Sequence, residues 1–303
     1  MEAIRTFALT KRYRAGRAST VGVEDLDLAV AEGQIFGYLG PNGAGKTTTI
    51  RLLLDLIRPT SGRAEVLGFD TRRDSLAIRR RVGYLPGDFA VEPGLTARQV
   101  VAHYTGLRGG AGSRRAPEIA ERLDLDLDRP LRTLSKGNRQ KVGLVQAFMH
   151  EPAVLVLDEP TTGLDPLVQL EFHRLVDEAV AGGSTVLLSS HVLSEVQRIA
   201  TRVGILRSGH LVAVEDVDTL RARALRRIEV RFLSAVPREA FLRVDGVREI
   251  EVDGNVVRAR VQGSLDALVK ACARFEVDTI TTEEADLEDV FLDYYREAPG
   301  DAA

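Results

Sequence analysis

One short segment constrains this chain more than any other. Residues 40–47 read Gly-Pro-Asn-Gly-Ala-Gly-Lys-Thr and match the pattern G-x-x-x-x-G-K-[ST] at every fixed position. The pattern needs glycines, because successive backbone N–H groups can curl around phosphate oxygens only where no Cβ intervenes. An apolar run at residues 34–39 precedes the segment, and a helical pattern begins near Lys46. This strand–loop–helix context predicts a phosphate-binding loop rather than a chance glycine-rich turn.

Two side chains of the loop carry most of its expected chemistry. Lys46 is placed to reach the β- and γ-phosphates of a nucleotide as a point charge, and Thr47 to offer its hydroxyl to Mg²⁺. The helix that starts at Lys46 adds the positive end of its dipole. We therefore expect nine consecutive residues to form the nucleotide-binding segment, which are Gly40, Pro41, Asn42, Gly43, Ala44, Gly45, Lys46, Thr47 and Thr48.

Short apolar runs recur along the first two thirds of the chain. Residues 153–157, 185–188 and 203–206 are continuous apolar segments of the kind found in strands that are buried on both faces. Helical spacing fills the intervals, as in residues 167–180 and 192–200. Strands that alternate with helices predict an α/β fold with a largely parallel sheet.

Acidic and imidazole side chains follow two of these strands. Asp158 and Glu159 come directly after the run 153–157. In enzymes with such a loop an aspartate at this place holds Mg²⁺, and the next glutamate is placed to polarise an attacking water as a general base. His191 ends the run 185–188 at a carboxyl strand end, where open α/β sheets bind ligands, so we expect it to contact the γ-phosphate. The alternatives are a helix N-cap for the acidic pair and a structural role for the histidine.

The middle of the chain differs from this pattern. Residues 88–149 contain three helical stretches, and the first begins at Thr96 with Gln99 as its capping-box partner. We expect a helical subdomain inserted between strands of the sheet.

The C-terminal third changes again to a β-α-β-β-α-β order, the split βαβ arrangement. The expected elements are a strand at 228–233, a helix at 238–244, a hairpin at 247–252 and 256–261 around Asp253-Gly254-Asn255, a helix at 264–275, a strand at 277–281 and a final helix at 287–295. The predicted organisation is a first domain at 1–214, a linker at 215–225, a small α+β domain at 226–297 and a disordered tail at 298–303.

In order and spacing, these motifs resemble the ATP-binding subunit of an ABC transporter over about residues 4–214. The loop looks like its Walker A motif, residues 153–160 like Walker B with the catalytic glutamate, and residues 189–191 like the H-loop. Residues 161–166 look like the D-loop, which adds Asp165 to the predicted site. Leu-Ser-Lys-Gly-Asn at 134–138 is similar to the signature most often written LSGGQ. Tyr13, ahead of the first predicted strand, matches the aromatic residue that stacks on adenine.

The resemblance implies a P-loop NTPase fold of the ABC ATPase type, with ATP and Mg²⁺ bound. It implies catalytic roles for Lys46, Glu159 and His191, and magnesium contacts for Thr47 and Asp158. It also implies a head-to-tail homodimer, in which Ser135 and Gly137 of one copy point at the γ-phosphate held by the other.

The expected partner is a separate transmembrane permease, which places this subunit at the cytoplasmic face of the membrane as a peripheral protein. The variants Leu-Ser-Lys-Gly-Asn and Tyr-Leu-Pro-Gly resemble those of bacterial drug and antibiotic exporters, so export of a drug, antibiotic or other small amphipathic molecule is expected. The alternative is a soluble ABC ATPase of translation or DNA maintenance, a class that usually carries two cassettes or a long coiled-coil insertion.

Three residues depart from the family pattern. Lys136 replaces the first glycine of LSGGQ and Asn138 replaces its terminal glutamine. Lys136 adds positive charge near the expected phosphate. Gly87 stands where the family usually has a glutamine that contacts Mg²⁺ and relays the nucleotide state to the membrane subunit. The departure concerns coupling more than hydrolysis.

Composition narrows the remaining classes. The 303 residues are 44% hydrophobic with a net charge of −3, which gives no support for a bulk nucleic-acid binder. No stretch approaches the roughly 18–20 apolar residues that span a bilayer, and the charged N-terminal segment predicts no secretory leader. The single cysteine, Cys272, rules out an internal disulfide and fits a reducing compartment.

Overall fold

The computed structural model describes residues 1–15, 18–90, 92, 94–242 and 244–283. The chain divides into two compact units, Met1–Val214 and Glu215–Ala303. Across the described part of the chain, no helix combines the length and the apolar character needed to cross a bilayer.

The first unit contains eleven described strands, the last of which extends to residue 216, and seven described helices. In chain order they are β1 (Glu2–Ala15), β2 (Ala18–Leu26), β3 (Ala29–Ala31), β4 (Ile35–Leu39), α1 (Lys46–Leu53), β5 (Ser61–Val66), β6 (Phe69–Asp70), α2 (Ser75–Arg81), β7 (Val82–Leu85), α3 (Ala97–Leu107), α4 (Arg115–Arg122), α5 (Lys136–Phe148), β8 (Val154–Asp158), α6 (Pro166–Ala181), β9 (Thr185–Ser190), α7 (Leu193–Ile199), β10 (Arg202–Arg207) and β11 (His210–Asp216).

A six-stranded sheet in the order β11-β10-β4-β9-β8-β7 forms the centre of this unit. Each pair of adjacent strands from β10 to β7 in this order is parallel. Every residue of β4, β8 and β9 is buried. Burial on both faces explains why these strands read as continuous apolar runs. The pairing sets Leu39 beside Ser190 and Asp158 beside Ser189, so the carboxyl ends of three strands meet. The predicted α/β fold is confirmed.

A second sheet, in the order β2-β1-β5-β6 with β3 also on β1, was not foreseen from the sequence. Its strands pair antiparallel, and the pairing of β1 with β2 shifts register around Lys11. Such irregularities break the period-two alternation that would reveal a strand. Tyr13 lies inside β1, and the expectation that it precedes the first strand is therefore wrong. The two sheets and α1 share one hydrophobic core, which includes Ile4, Tyr38 and Ile50.

Three helices follow β7, as the sequence predicts. The capping box at α3 is confirmed, since the Gln99 backbone N–H donates to Thr96 Oγ1 at 3.2 Å and the Thr96 N–H to Gln99 Oε1 at 2.9 Å. Arg122 of α4 donates to Glu171 at 2.6 Å and to Glu178 at 2.7 Å, both on α6. These ion pairs bind the helical insertion to the sheet-flanking helix α6.

The second unit holds α8 (Val217–Arg223), β12 (Leu225–Phe232), β13 (Val247–Asp253), β14 (Val256–Gln262), α9 (Asp266–Cys272) and β15 (Val277–Thr282). Its four strands form an antiparallel sheet in the order β13-β14-β12-β15, which is the topology of the predicted β-α-β-β-α-β order. Phe232, Phe241 and Phe275 pack together in its core.

Two expectations for this unit are corrected. The helix expected at 238–244 is only a 3-10 turn at Arg238–Ala240, because one turn is enough to bring Phe241 into the core. The segment 215–225, expected as a linker, contains α8, whose residues Val217 and Leu220 are buried on one face. The final helix expected at 287–295 and the tail at 298–303 lie outside the described residues.

Candidate nucleotide site

The glycine-rich loop connects β4 to α1 with a backbone that side chains would obstruct. Gly43 and Gly45 have φ values of 82° and 111°, in the left-handed region that favours glycine. A Cβ at Gly45 would also collide with the carbonyl oxygen of Gly22. No side chain caps the first turn of α1, so its free N–H groups remain available to an anion. The loop is therefore a preformed phosphate cradle.

Lys46 is buried at the base of this cradle. Its Nζ donates to the carbonyl oxygens of Gly40 at 2.5 Å and Pro41 at 3.3 Å, and it lies 3.3 Å from Glu159 Oε1. An ammonium group has three protons, and three protein oxygens lie within 3.3 Å of Lys46 Nζ. A phosphate that binds Lys46 must take the place of at least one of these contacts.

Thr47 and Asp158 form a pair of oxygen donors beside Lys46. Thr47 Oγ1 donates to Asp158 Oδ2 at 2.8 Å, and Asp158 is only 2% exposed. A carboxylate and a hydroxyl are hard oxygen ligands, which Mg²⁺ prefers. In such sites water and substrate phosphates supply the rest of the Mg²⁺ coordination shell. The donor set therefore fits the cation that the sequence predicts.

Glu159 lies between two cationic or ionisable side chains. Oε1 faces Lys46, and Oε2 is 2.7 Å from His191 Nδ1. Since a carboxylate only accepts, Nδ1 carries the proton of this hydrogen bond and Nε2 is left for another partner. Glu159 has a φ of 49°, which is strained for a residue with a side chain, and strain of this kind is common at functional sites.

Lys46, Thr47 and Glu159 border one cavity of about 310 Å³, whereas Asp158 and His191 are not among its lining residues. Its lining is Tyr13, Thr20, Val21, Gly22, Pro41, Asn42, Gly43, Gly45, Lys46, Thr47, Thr48 and Glu159. Tyr13 is 39% exposed, and its hydroxyl lies 3.4 Å from Thr48 Oγ1. The structure thus brings the predicted adenine platform, the phosphate loop and the predicted base to one cavity.

Ser135, Gly137 and Asp165 do not line this cavity. Ser135 caps α5 by accepting a hydrogen bond from the Asn138 N–H at 3.2 Å, and Asp165 caps α6 by accepting one from the Val168 N–H at 3.0 Å. A Cβ at Gly137 would collide with the Gly163 carbonyl oxygen, so the start of α5 packs tightly on the loop before α6. Within one chain these three residues shape two helix N-termini.

Gly87 lies directly beside Asp158. A Cβ there would stand 3.5 Å from the Asp158 carboxyl group, an ordinary contact distance, so neither space nor backbone conformation demands a glycine.

The pKa of Tyr84 is raised to about 12 by burial and, secondarily, by the negative charge of Asp158, which keeps its phenol neutral.

Sequence reasoning missed two side chains that contact the acidic pair. Ser189 Oγ donates to Asp158 Oδ1 at 2.5 Å, and Gln140 Nε2 donates to the carbonyl oxygens of Glu159 and Pro160, at 3.3 Å each. Both are buried, but Gln140 lies in the polar stretch 136–141 and Ser189 follows the apolar run 185–188, so neither position carries a local signal for its contact. Finding their partners requires the pairing of β8 with β9 and the packing of α5.

The comparisons with known proteins agree with this geometry. The chain matches the family described as ABC transporter over residues 23–162. Daunorubicin resistance ATP-binding protein DrrA3 of Streptomyces coeruleorubidus is 37% identical over 96% of this chain and 95% of its own length. Bacitracin transport ATP-binding protein BcrA of Bacillus licheniformis is 34% identical over 95% and 96% of the two chains.

Solved structures show the same fold. The ATP-binding subunit of an ABC transporter has a TM-score of 0.67 at 29% identity and covers 72% of this chain and 92% of that one. A dimeric bacterial ABC transporter cassette has a TM-score of 0.65 at 26% identity, over 71% and 98%. With its phosphate loop, acidic pair and histidine on one sheet edge, and with relatives that match almost its whole length, the chain belongs to the ABC transporter ATP-binding proteins and is an ABC-type ATPase.

Proposed function

We propose that this chain is the ATP-hydrolysing subunit of an exporter, which dimerises around two ATP molecules and drives a separate membrane-spanning subunit. The observation that carries the proposal is the position of the Glu159 carboxylate between Lys46 and His191, at the mouth of the phosphate loop. The relatives are named for daunorubicin resistance and bacitracin transport, which supports a drug, antibiotic or other small amphipathic molecule as the cargo.

Thr47 and Asp158 would hold Mg²⁺ through their oxygens. A magnesium ion bound there neutralises charge that develops on the β- and γ-phosphates. Tyr13 offers an exposed aromatic face at the edge of the cavity, on which adenine would stack.

Hydrolysis begins with an exchange at Lys46. When phosphate oxygens take protons of the Lys46 ammonium, Glu159 Oε1 loses its partner and becomes free to accept a proton from water. The water oxygen then bonds to the γ-phosphorus, the bond to the bridging oxygen breaks, and ADP leaves with that electron pair. Throughout, the His191 Nδ1 proton keeps Glu159 Oε2 in place, so the base keeps its orientation.

The second copy completes the site. Ser135 and Gly137 lie at the positive N-terminus of α5, and Lys136 adds a full charge to it. An N-terminus of this kind binds anions, so we assign it to the γ-phosphate held by the partner copy, with Asp165 at the neighbouring helix start. As a peripheral subunit the dimer would sit at the cytoplasmic face of the membrane.

Co-purification from native membranes tests this proposal. We expect the tagged full-length chain to bring down a protein with several transmembrane spans and to show Mg²⁺-dependent ATP hydrolysis. Recovery of ribosomes or DNA in place of such a protein would contradict the exporter and support the soluble alternative.

A further inference from the structure

A single hydroxyl group joins both acidic residues of the site. Ser189 is 0% exposed, and the register of β8 with β9 sets it directly beside Asp158. Its Oγ lies 2.5 Å from Asp158 Oδ1 and 3.2 Å from the backbone nitrogen of Glu159. Ser189 is the first residue of the H-loop-like segment 189–191, and the resemblance assigns a role only to His191 of that segment.

The chemistry of the three groups fixes the direction of each hydrogen bond. The Glu159 N–H can only donate, so Ser189 Oγ accepts from it. The Asp158 carboxylate can only accept, so the single hydroxyl proton of Ser189 goes to Asp158 Oδ1. The Ser189 hydroxyl therefore has one orientation, in which it links the Glu159 backbone to the Asp158 carboxylate by one hydrogen bond to each.

The two carboxylates need this restraint for different reasons. Thr47 holds only one oxygen of Asp158, Oδ2, so the contact from Ser189 to Oδ1 sets the rotation of the carboxylate plane. Glu159 has a strained φ of 49°, and such a conformation persists only where the surroundings hold it. The Glu159 N–H donates to both Oγ and the backbone oxygen of Ser189, and Gln140 Nε2 donates to the Glu159 carbonyl oxygen.

We propose that Ser189 is a positioning residue for ATP hydrolysis, which orients Asp158 toward the cation and keeps Glu159 aimed between Lys46 and His191. The inference rests on the proposed roles of these acidic residues. It predicts that loss of the Ser189 hydroxyl weakens cation binding and catalysis more than it weakens the fold.

The test compares two serine-to-alanine variants of the full-length chain. Ser189→Ala removes the hydroxyl beside the acidic pair. Ser184→Ala is the matched control, because Ser184 is also buried and donates one hydrogen bond, to the Pro152 carbonyl oxygen at 2.7 Å, before the opposite end of β9. Mn²⁺ affinity is measured by electron paramagnetic resonance with a non-hydrolysable ATP analogue, and kcat and KM for ATP are measured with Mg²⁺.

For Ser189→Ala we expect Mn²⁺ affinity and kcat each to fall by about tenfold to a hundredfold, the usual effect of losing an outer-shell partner. KM for ATP should change by less than about threefold, since the phosphate loop is intact. Ser184→Ala should match the wild type in both properties while its thermal stability falls as much as that of Ser189→Ala.

Wild-type Mn²⁺ affinity in Ser189→Ala, or equal losses in the two variants, would overturn the inference. A wild-type protein that binds Mn²⁺ and nucleotide but hydrolyses nothing would instead count against the proposed function. The affinity measurement keeps these two failures distinguishable.

Discussion

At the residue scale, the most informative contact is the ion pair between Lys46 and Glu159. Lys46 is 6% exposed, and its charge is balanced by the Glu159 carboxylate and two carbonyl oxygens. A phosphate that enters the loop competes with Glu159 for the same ammonium protons. In the proposed mechanism, nucleotide binding and the release of Glu159 from Lys46 are therefore one event.

Glu159→Gln tests the assignment of the base. The amide cannot take a proton from water, and general-base contributions are typically about 10²–10⁴-fold, so we expect hydrolysis to fall by at least about 10²-fold. ATP affinity should be kept or increased, because the carboxylate that competes for Lys46 is gone. Single-turnover hydrolysis, nucleotide binding and gel filtration with ATP provide the measurements, and we expect an ATP-bound dimer that persists.

Glu151→Gln is the matched control for this variant. Glu151 shares the φ of 49° but has a 70% exposed side chain that pairs with Arg115. The Glu151→Gln variant should hydrolyse ATP at the wild-type rate. Hydrolysis at the wild-type rate in Glu159→Gln would show that another group accepts the proton.

Ser135→Arg tests the site formed between two copies. The bulky cation would fill the N-terminal anion site of α5, so we expect hydrolysis to be lost while the monomer still binds ATP through its own loop. Ser135→Ala loses the cap, a change of about 1 kcal/mol in stability, and the hydroxyl proposed to face the partner's γ-phosphate, but it adds no bulk or charge and should keep part of the activity. Undiminished turnover in Ser135→Arg would contradict the head-to-tail arrangement.

At the element scale, α5 connects the signature to the sheet. It begins at the Ser135 cap and is buried from Gln140 to Phe148. Two residues after its end, His150 Nε2 lies 3.3 Å from the Val82 carbonyl oxygen at the start of β7. Burial, followed by the nearby charge of Arg108, lowers the pKa of His150 to about 4. His150 is therefore neutral in the folded protein at pH 7.

This shift makes stability depend on pH in a defined direction. An unfolded histidine takes up a proton near pH 6.5, whereas folded His150 does so only near pH 4. The contribution of neutral His150 to the free energy of unfolding is therefore complete above pH 6.5 and is lost as the pH falls toward 4. At pH 5 the loss relative to pH 7 is about 1–2 kcal/mol, allowing for partial exposure.

His150→Gln keeps an N–H donor for Val82 but does not titrate. Urea unfolding of both proteins at pH 7 and pH 5 should therefore show a smaller drop for the variant. Equal drops in the two proteins would mean that His150 is accessible to protons in the folded state.

At the scale of the whole molecule, the two units have separate hydrophobic cores. The second is built around Phe232, Phe241 and Phe275, whose ring centres lie 5.8–5.9 Å apart, and Phe241 is fully buried. All residues that line the nucleotide cavity belong to the first unit. We therefore expect that folding of the second unit can be perturbed without a change in nucleotide binding by the first.

Phe241→Ala is expected to lower the free energy of unfolding of the second unit by about 3–5 kcal/mol, because it leaves a cavity in a small core. Nucleotide affinity should not change. Differential scanning calorimetry and titration with a fluorescent ATP analogue measure the two properties. A concurrent loss of nucleotide affinity would show that the units fold as one.

Most of the site chemistry could be predicted from the sequence, because it is local. The loop of residues 40–48 is defined by glycines and by one lysine at fixed spacing, and Asp158, Glu159 and His191 each follow a recognisable apolar strand. The capping box of Thr96 and Gln99 at the start of α3 is equally local. Short-range patterns of this kind depend on backbone conformation and hydrogen bonds within a few residues.

Only the tertiary structure decided which of these groups touch. The contacts of Glu159 with Lys46 and His191, and of Ser189 with Asp158, join residues 31 to 113 positions apart through the register of β8, β9 and β4. The same holds for Tyr13, whose strand is set by long-range pairing. Register and packing are chosen by burial of the whole core, and a window of sequence does not contain that information.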